Sequence, residues 1–181
     1  QTNPVRTSRS TVGTMTELND HLKLLWARAA RLYCSGCGRE VRRDTADTIY
    51  GEVAGLPAEW LLVTFPVTVP ENFTPSEVTE LLAGQGYRRI HRRDGRRWEV
   101  IQDRVQNQPA RRGRIVEDLE AALRFGQGRL TVYPLDEKLQ PGAPRRFSAG
   151  LHCPDCDLQY REPAPNLFSF NSPLGACDTC R

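Results

Sequence analysis

Every cysteine in this 181-residue chain belongs to a C-x-x-C pair: Cys34-Ser-Gly-Cys37, Cys153-Pro-Asp-Cys156 and Cys177-Asp-Thr-Cys180. No other feature constrains the fold so tightly, because each pair sets two thiolates on one tight turn. Two such turns brought together make the tetrahedral four-sulfur shell that Zn2+ takes in closed structural sites. The two downstream pairs are separated by twenty residues, the top of the range for a zinc ribbon or treble-clef-like module. One C-x-x-C alone reads equally well as a redox dithiol; three pairs with no stray cysteine point to metal. Six cysteines in a chain that is 39% hydrophobic also argue against a secreted disulfide scaffold. A closed four-sulfur site leaves no open position for catalysis.

Two groupings of the pairs are open. The nearest-neighbour solution, favoured here, puts Cys153, Cys156, Cys177 and Cys180 around one Zn2+ and leaves Cys34 and Cys37 two ligands short. The alternative joins Cys34/Cys37 to Cys153/Cys156 across the ends of an inserted domain, whose entry and exit points lie close together. His152, beside Cys153, reads as a solvent-exposed histidine rather than a mixed-site ligand.

The chain starts at Gln1 rather than Met and stops one residue past Cys180, so it reads as a piece of a longer protein. Its formal charge of +3, from 25 Lys+Arg against 22 Asp+Glu, is too small to argue nucleic-acid binding by itself. No long apolar run or signal-peptide core is visible, which predicts a soluble cytoplasmic protein with no membrane partner.

Residues 1–13 read as an extended lead-in. Thr14-Met-Thr-Glu17 carries a capping-box pattern, and Leu18, Leu22, Leu25, Trp26 and Ala29 recur at helical spacing. Together they predict one amphipathic helix over 14–31, with His21 half-buried near its apolar face. Residues 44–58 carry no decisive signal for helix or loop. Trp60–Phe65 reads as a strand ended by Pro66 and Pro70. Thr74-Pro75-Ser-Glu77 opens a helix that stops near Gly86. Strands at 87–91 and 97–104 meet at an Asp94-Gly95 hairpin. A helix over 114–125 ends at Gly126, and a strand follows over 128–135.

That order predicts an α+β fold: a ferredoxin-like split βαββαβ insertion domain flanked by a helix and a small zinc module. The expected divisions are 1–43, 44–147 and 148–181, with 136–147 as a linker. Ten arginines crowd between Arg88 and Arg114. A solvated hairpin face is the plain reading of such a cluster; carboxylate pairing on a partner and DNA-phosphate contact are the functional ones.

Leu167-Phe-Ser-Phe-Asn-Ser-Pro173, followed by Gly175-Ala-Cys177, resembles the first zinc module of the UvrA family, the damage-sensing ATPases of bacterial nucleotide excision repair. Arg9-Ser-Thr-Val-Gly-Thr14, then Glu17, Leu22, Leu25, Ala27-Arg28 and Cys34, resembles the same family just after its first nucleotide-binding segment. The resemblance covers essentially the whole chain. It implies a piece of signature domain I, the UvrB-binding insertion, and a zinc module built on Cys153, Cys156, Cys177 and Cys180. It further implies UvrB as partner, with Gly86-Tyr87-Arg88-Arg89 and Asp103-Arg104 matching stretches that carry basic contacts, so Tyr87, Arg89 and Arg104 are the candidate contact residues. Gln1 falls where the family's glutamine switch loop leaves the nucleotide core, a γ-phosphate/Mg2+ sensor in the intact parent alone. Damaged double-stranded DNA and a UvrA homodimer are partners of the intact protein, with Arg6 and Arg9 as weaker DNA candidates.

No G-x-x-x-x-G-K-[ST] loop occurs in the chain, so this segment is expected not to hydrolyse ATP by itself. Two other classes compete. A stand-alone zinc-ribbon nucleic-acid binder predicts DNA affinity with a steep salt dependence. A thiol redox enzyme needs an exposed thiolate of low pKa and a strand-to-helix setting for its C-x-x-C.

Overall fold

The computed structural model describes residues 12–169 and 172–175. These form two compact units, one spanning Cys34–Gln159 and the other drawn from the residues on either side of it. In the flanking unit, α1 (Val12–Met15) is followed by α2 (Leu18–Ala29) and the short strand β1 (Leu32–Tyr33). The continuous helix expected over 14–31 is broken. Glu17 sits in the left-handed region at φ 59 as the N-cap of α2 and makes no side-chain cap bond. Thr16 instead bonds back to the Val12 carbonyl. None of the α2 residues is buried: Leu22, Leu25 and Trp26 are exposed, and so is His21, whose Nδ1 meets the Glu17 carbonyl.

The Cys34–Gln159 unit opens with β2 (Glu40–Val41) and α3 (Ala46–Val53). Thr45 and Thr48 cap α3 reciprocally, and Ala46, Ile49 and Val53 are its buried face. There follow β3 (Trp60–Thr68), α4 (Pro75–Gly84), β4 (Ile90–Asp94), β5 (Arg97–Gln106), α5 (Arg112–Phe125) and β6 (Arg129–Leu135). The strand, helix, strand, strand, helix, strand order read from the sequence is therefore present. The segment expected as a linker contributes a further strand, β7 (Arg145–Ser148), held by the buried Phe147. Two short strands, β8 (His152–Cys153) and β9 (Leu158–Gln159), pair with each other.

Five strands form one antiparallel sheet in the order β4-β5-β3-β6-β7. Successive side chains of a strand point to opposite faces. Leu61, Val63 and Phe65 of β3 thus share the main core with Val100, Val132 and the α5 residues Ile115, Leu119 and Ala122. Leu62 joins Tyr133 and Leu135 on the other face. Fully burying a residue such as Phe65 or Ile115 contributes roughly 1.5–3 kcal/mol. Exposed ion pairs contribute about 0–1 kcal/mol each, so this core carries the fold.

Pro66 does not end β3. The β3–β6 ladder stops at Thr64↔Thr131, whereas the β3–β5 ladder runs on through Pro66↔Glu99 to Thr68. Beyond Thr64 the strand is paired on one side alone, so a residue without an N–H is tolerated there. Between Val63 and Thr64 the register shifts: Val63 faces Asp103 and Thr64 faces Ile101. This bulge presents Asp103 to Arg114 of α5, at 2.5 Å. At the β4–β5 turn, Gly95 at φ 53 takes the first central position of a two-residue loop, and Asp94 closes the strand.

Candidate metal centre and arginine hairpin

The structure gathers Cys34, Cys37, Cys153 and Cys156, whose sulfurs all lie within 4.8 Å of one another. This is the second of the two groupings open to the sequence. Cys177 and Cys180, which the favoured grouping needs, lie outside the described residues, as do Gln1, Arg6 and Arg9. The pairs meet because both ends of this unit arrive at one place. The Asp44 amide bonds the Ser148 carbonyl at 2.8 Å, and the Asp44 carboxylate accepts the Ser148 amide at 3.1 Å.

Each pair sits on a local turn. In the first, Gly38 N–H bonds the Cys34 carbonyl at 2.9 Å, Cys34 N–H bonds the Arg39 carbonyl at 2.8 Å, and Gly36 N–H points at Cys34 Sγ at 3.4 Å. A Cβ at Gly36 would stand 3.0 Å from Cys156 Sγ, tighter than an ordinary contact, so the two turns close on each other across a glycine. The second turn joins β8 to β9, and the amides of Asp155 and Cys156 bond the buried Cys153 sulfur.

The donor set fits a zinc-type cation. A tetrahedron with Zn–S bonds of about 2.3 Å has sulfur–sulfur edges of about 3.8 Å. Cys37 and Cys153 sulfurs are 3.6 Å apart, and none of the four is in a disulfide. In the second turn, the hydrogen bond from Cys37, then burial, push Cys156 up to about 12. Burial raises Cys153 as well. That is opposite to the low-pKa thiolate a redox C-x-x-C requires. A coordinating divalent cation inverts the order, because a metal-bound thiol is deprotonated outright.

Carboxylates fasten the second turn to its surroundings. Asp155 receives Arg39 of the first turn at 2.7 Å and Arg146 of β7 at 3.5 Å. Burial works against its charge, yet these two guanidiniums hold its carboxyl below the usual range. Asp157 receives Arg97, Arg129 and His152; chiefly Arg97, then His152, hold it at about 2. His152 is 3% exposed, not solvated as expected, with Nε2 2.9 Å from Asp157 Oδ1. Sequence reading missed these partners. The only available signal was acidic residues at 155 and 157 on either side of Cys156.

The arginine-rich segment forms the β4–β5 hairpin and its approaches. Arg88, Arg89 and Arg96 are exposed and make no ion pair among the described residues. Others are committed: Arg92 to Asp94, Arg93 over the Trp98 ring at 4.6 Å, Arg112 to Asp47, and Arg114 to Asp103. Arg104 is half-buried opposite Leu62, on the sheet face away from the main core, and its buried Nε has no partner among the described residues. Tyr87 packs half-buried against the core. Its ring packs 4.9 Å from Phe65 and 5.1 Å from Phe125, and its hydroxyl donates to Gln102.

Fold and site together define a mixed α/β module whose two ends meet at a four-cysteine centre able to hold a metal ion. No family model matches the chain. Among curated relatives it is 31% identical to UvrABC system protein A of Clostridium perfringens, over 97% of this chain and 20% of the relative. The protein of that name from Streptococcus pyogenes is 35% identical over 95% of the chain and 19% of the relative. That from Mycobacterium bovis is 34% identical over 97% and 20%. The chain belongs to the UvrABC system protein A family, and it spans about 20% of the length of the relatives it matches. No helix among the described residues is long and apolar enough to cross a membrane.

Proposed function

We propose that this chain is the partner-docking segment of a UvrA-type nucleotide excision repair protein, and that its Cys34–Gln159 unit recruits UvrB. The strand order, with β3 between β5 and β6 and two helices in split βαβ connections, supports reading that unit as a ferredoxin-like insertion with one added edge strand. Zn2+ held by Cys34, Cys37, Cys153 and Cys156 would close its base structurally. The segment itself is a docking element without catalysis. ATP and Mg2+, damaged DNA and the homodimer belong to the intact parent, and the cytoplasm is where such a protein works.

The observation that carries the reading is the set of arginines left without carboxylates among the described residues: Arg88, Arg89 and Arg96 at the hairpin, and Arg104 with a buried Nε that has no partner there. An arginine without a carboxylate of its own is free to pair across an interface, and its planar fork suits a carboxylate there. Arg89 and Arg104 are therefore the proposed contacts, with Tyr87 shaping the hairpin base from inside. Immobilised UvrB should retain the wild-type chain and lose Arg89→Glu and Arg104→Glu variants that keep their zinc and their far-UV CD spectrum. Undiminished capture of both variants would overturn the assignment, and steeply salt-dependent DNA binding by the chain would favour the nucleic-acid-binding class instead.

A further inference from the structure

We propose that Asp157 is a positioning residue that couples occupancy of the four-cysteine centre to the order of the β4–β5 hairpin. The proposal rests on reading the cysteine cluster as a metal centre. Asp157 follows Cys156 directly and stands at φ 55, in the left-handed region that aspartate enters more readily than most residues with a Cβ. This turn brings one carboxylate to two separate strands. Oδ2 accepts from Arg97 Nη2 at 2.5 Å; Oδ1 accepts from Arg129 Nη1 at 3.0 Å and lies 2.9 Å from His152 Nε2.

Arg97 is the first residue of β5 and Arg129 the first of β6, and β3 lies between those strands in the sheet. The carboxylate thus spans the central strand at one end of the sheet. It reaches the hairpin just past its turn, where β4 is an edge strand with β5 as its single neighbour. A cation shared by Cys156 and the first cysteine turn fixes the backbone from which Asp157 reaches. Release of the cation leaves residues 153–157 held by the Asp155 and Asp157 ion pairs, and the hairpin tip loses part of that anchor. Buried Trp98 keeps the rest of β5 in place, so the response is confined to the tip.

Hydrogen exchange of the 181-residue chain, with zinc counted by elemental analysis, tests this. Stripping zinc from the wild type should speed exchange at residues 94–97 by about three- to fivefold, the span of a well-connected exposed charge network. Exchange at Leu61 and Val132 should hold. Asp157→Asn should show the fast tip with zinc still bound and respond little to stripping. Arg97→Gln, altered on the hairpin and away from the cysteines, should do the same if Asp157→Asn fails to fold. Bound zinc with a tip indifferent to its removal overturns the coupling and leaves the centre standing. So does a tip in Arg97→Gln that responds as the wild type does. Acceleration spread equally to Leu61 and Val132 also overturns it, since the metal would then hold the whole sheet. A wild-type chain that binds no zinc removes the centre and the coupling together.

Discussion

Replacing Asp118 by asparagine should stabilise the protein at neutral pH and make that gain vanish in acid. Asp118 lies on α5 with its side chain 14% exposed, and its Oδ2 has no hydrogen-bond partner among the described residues. Arg114 is the natural counter-ion but is taken by Asp103, at 2.5 Å, and stands 3.9 Å from Asp118. Burial first, then the Asp103 charge, raise the Asp118 carboxyl from 3.8 to about 6. For a raised carboxyl the stabilising preference for the neutral form is fully present below 3.8 and is lost as pH rises through about 6. At pH 7.5 the ionised group therefore weakens the fold. The gap between the two values sets a ceiling of roughly 3 kcal/mol, and solvent contact around the cluster reduces the expectation to about 1 kcal/mol. Asparagine keeps the shape and a donor toward Asp103 without the charge. Urea unfolding of both proteins, zinc-saturated, should give Asp118→Asn a higher midpoint at pH 7.5 and equal midpoints near pH 4. Taking the difference at each pH cancels the acid sensitivity of the cysteine centre. Equal stability at both pH values would falsify the assignment of a destabilising buried charge.

Two further outcomes follow from packing and burial. Gly126→Ala should lower stability by about 2 kcal/mol in thermal or urea melts, because the added Cβ would meet the Arg129 carbonyl at 2.0 Å and the Ala122 carbonyl at 2.9 Å; a neutral result would mean that the α5–β6 turn relaxes freely. Tyr133 is buried, and its hydroxyl donates to Glu99 at 2.5 Å; burial foremost, with that carboxylate, holds the phenol well above its ordinary value. The stability it supplies is complete below pH 10 and is lost progressively above it, so the Tyr133 phenol should stay un-ionised at pH 11 in a 295 nm titration, and Tyr133→Phe should leave the number of ionising tyrosines unchanged.

The elements written in local chemistry were legible in the chain. The Thr74/Glu77 box opens α4 with both reciprocal bonds in place, and Gly95 supplies the positive φ of the hairpin loop. The spacing of Ile115, Leu119 and Ala122 marks the buried face of α5. Where the outcome depended on distant neighbours, local reading failed. Pro66 reads as a strand end unless it is known that β6 has already stopped pairing. Thr45 and Thr48 capped α3 with a threonine, not the usual Glu or Gln, at the third helical position. Thr14 and Glu17 offered the pattern of a cap, and Glu17 turned out of the helix.

The cysteine centre shows the division most sharply. Spacing alone determined that Cys34/Cys37 and Cys153/Cys156 would each be a two-sulfur turn, because four residues suffice to turn the backbone back on itself. Which turns meet is a property of the path between them. Cys34 and Cys153 are joined by the folding of a five-stranded sheet whose ends return to one place, at Asp44 and Ser148. The same closure buries His152 and brings Arg97 and Arg129, from strands that are not neighbours, onto one carboxylate. Sequence set the chemistry of each turn; tertiary structure chose its partners, since contacts across more than a hundred residues are fixed by the packed core and not by local preference.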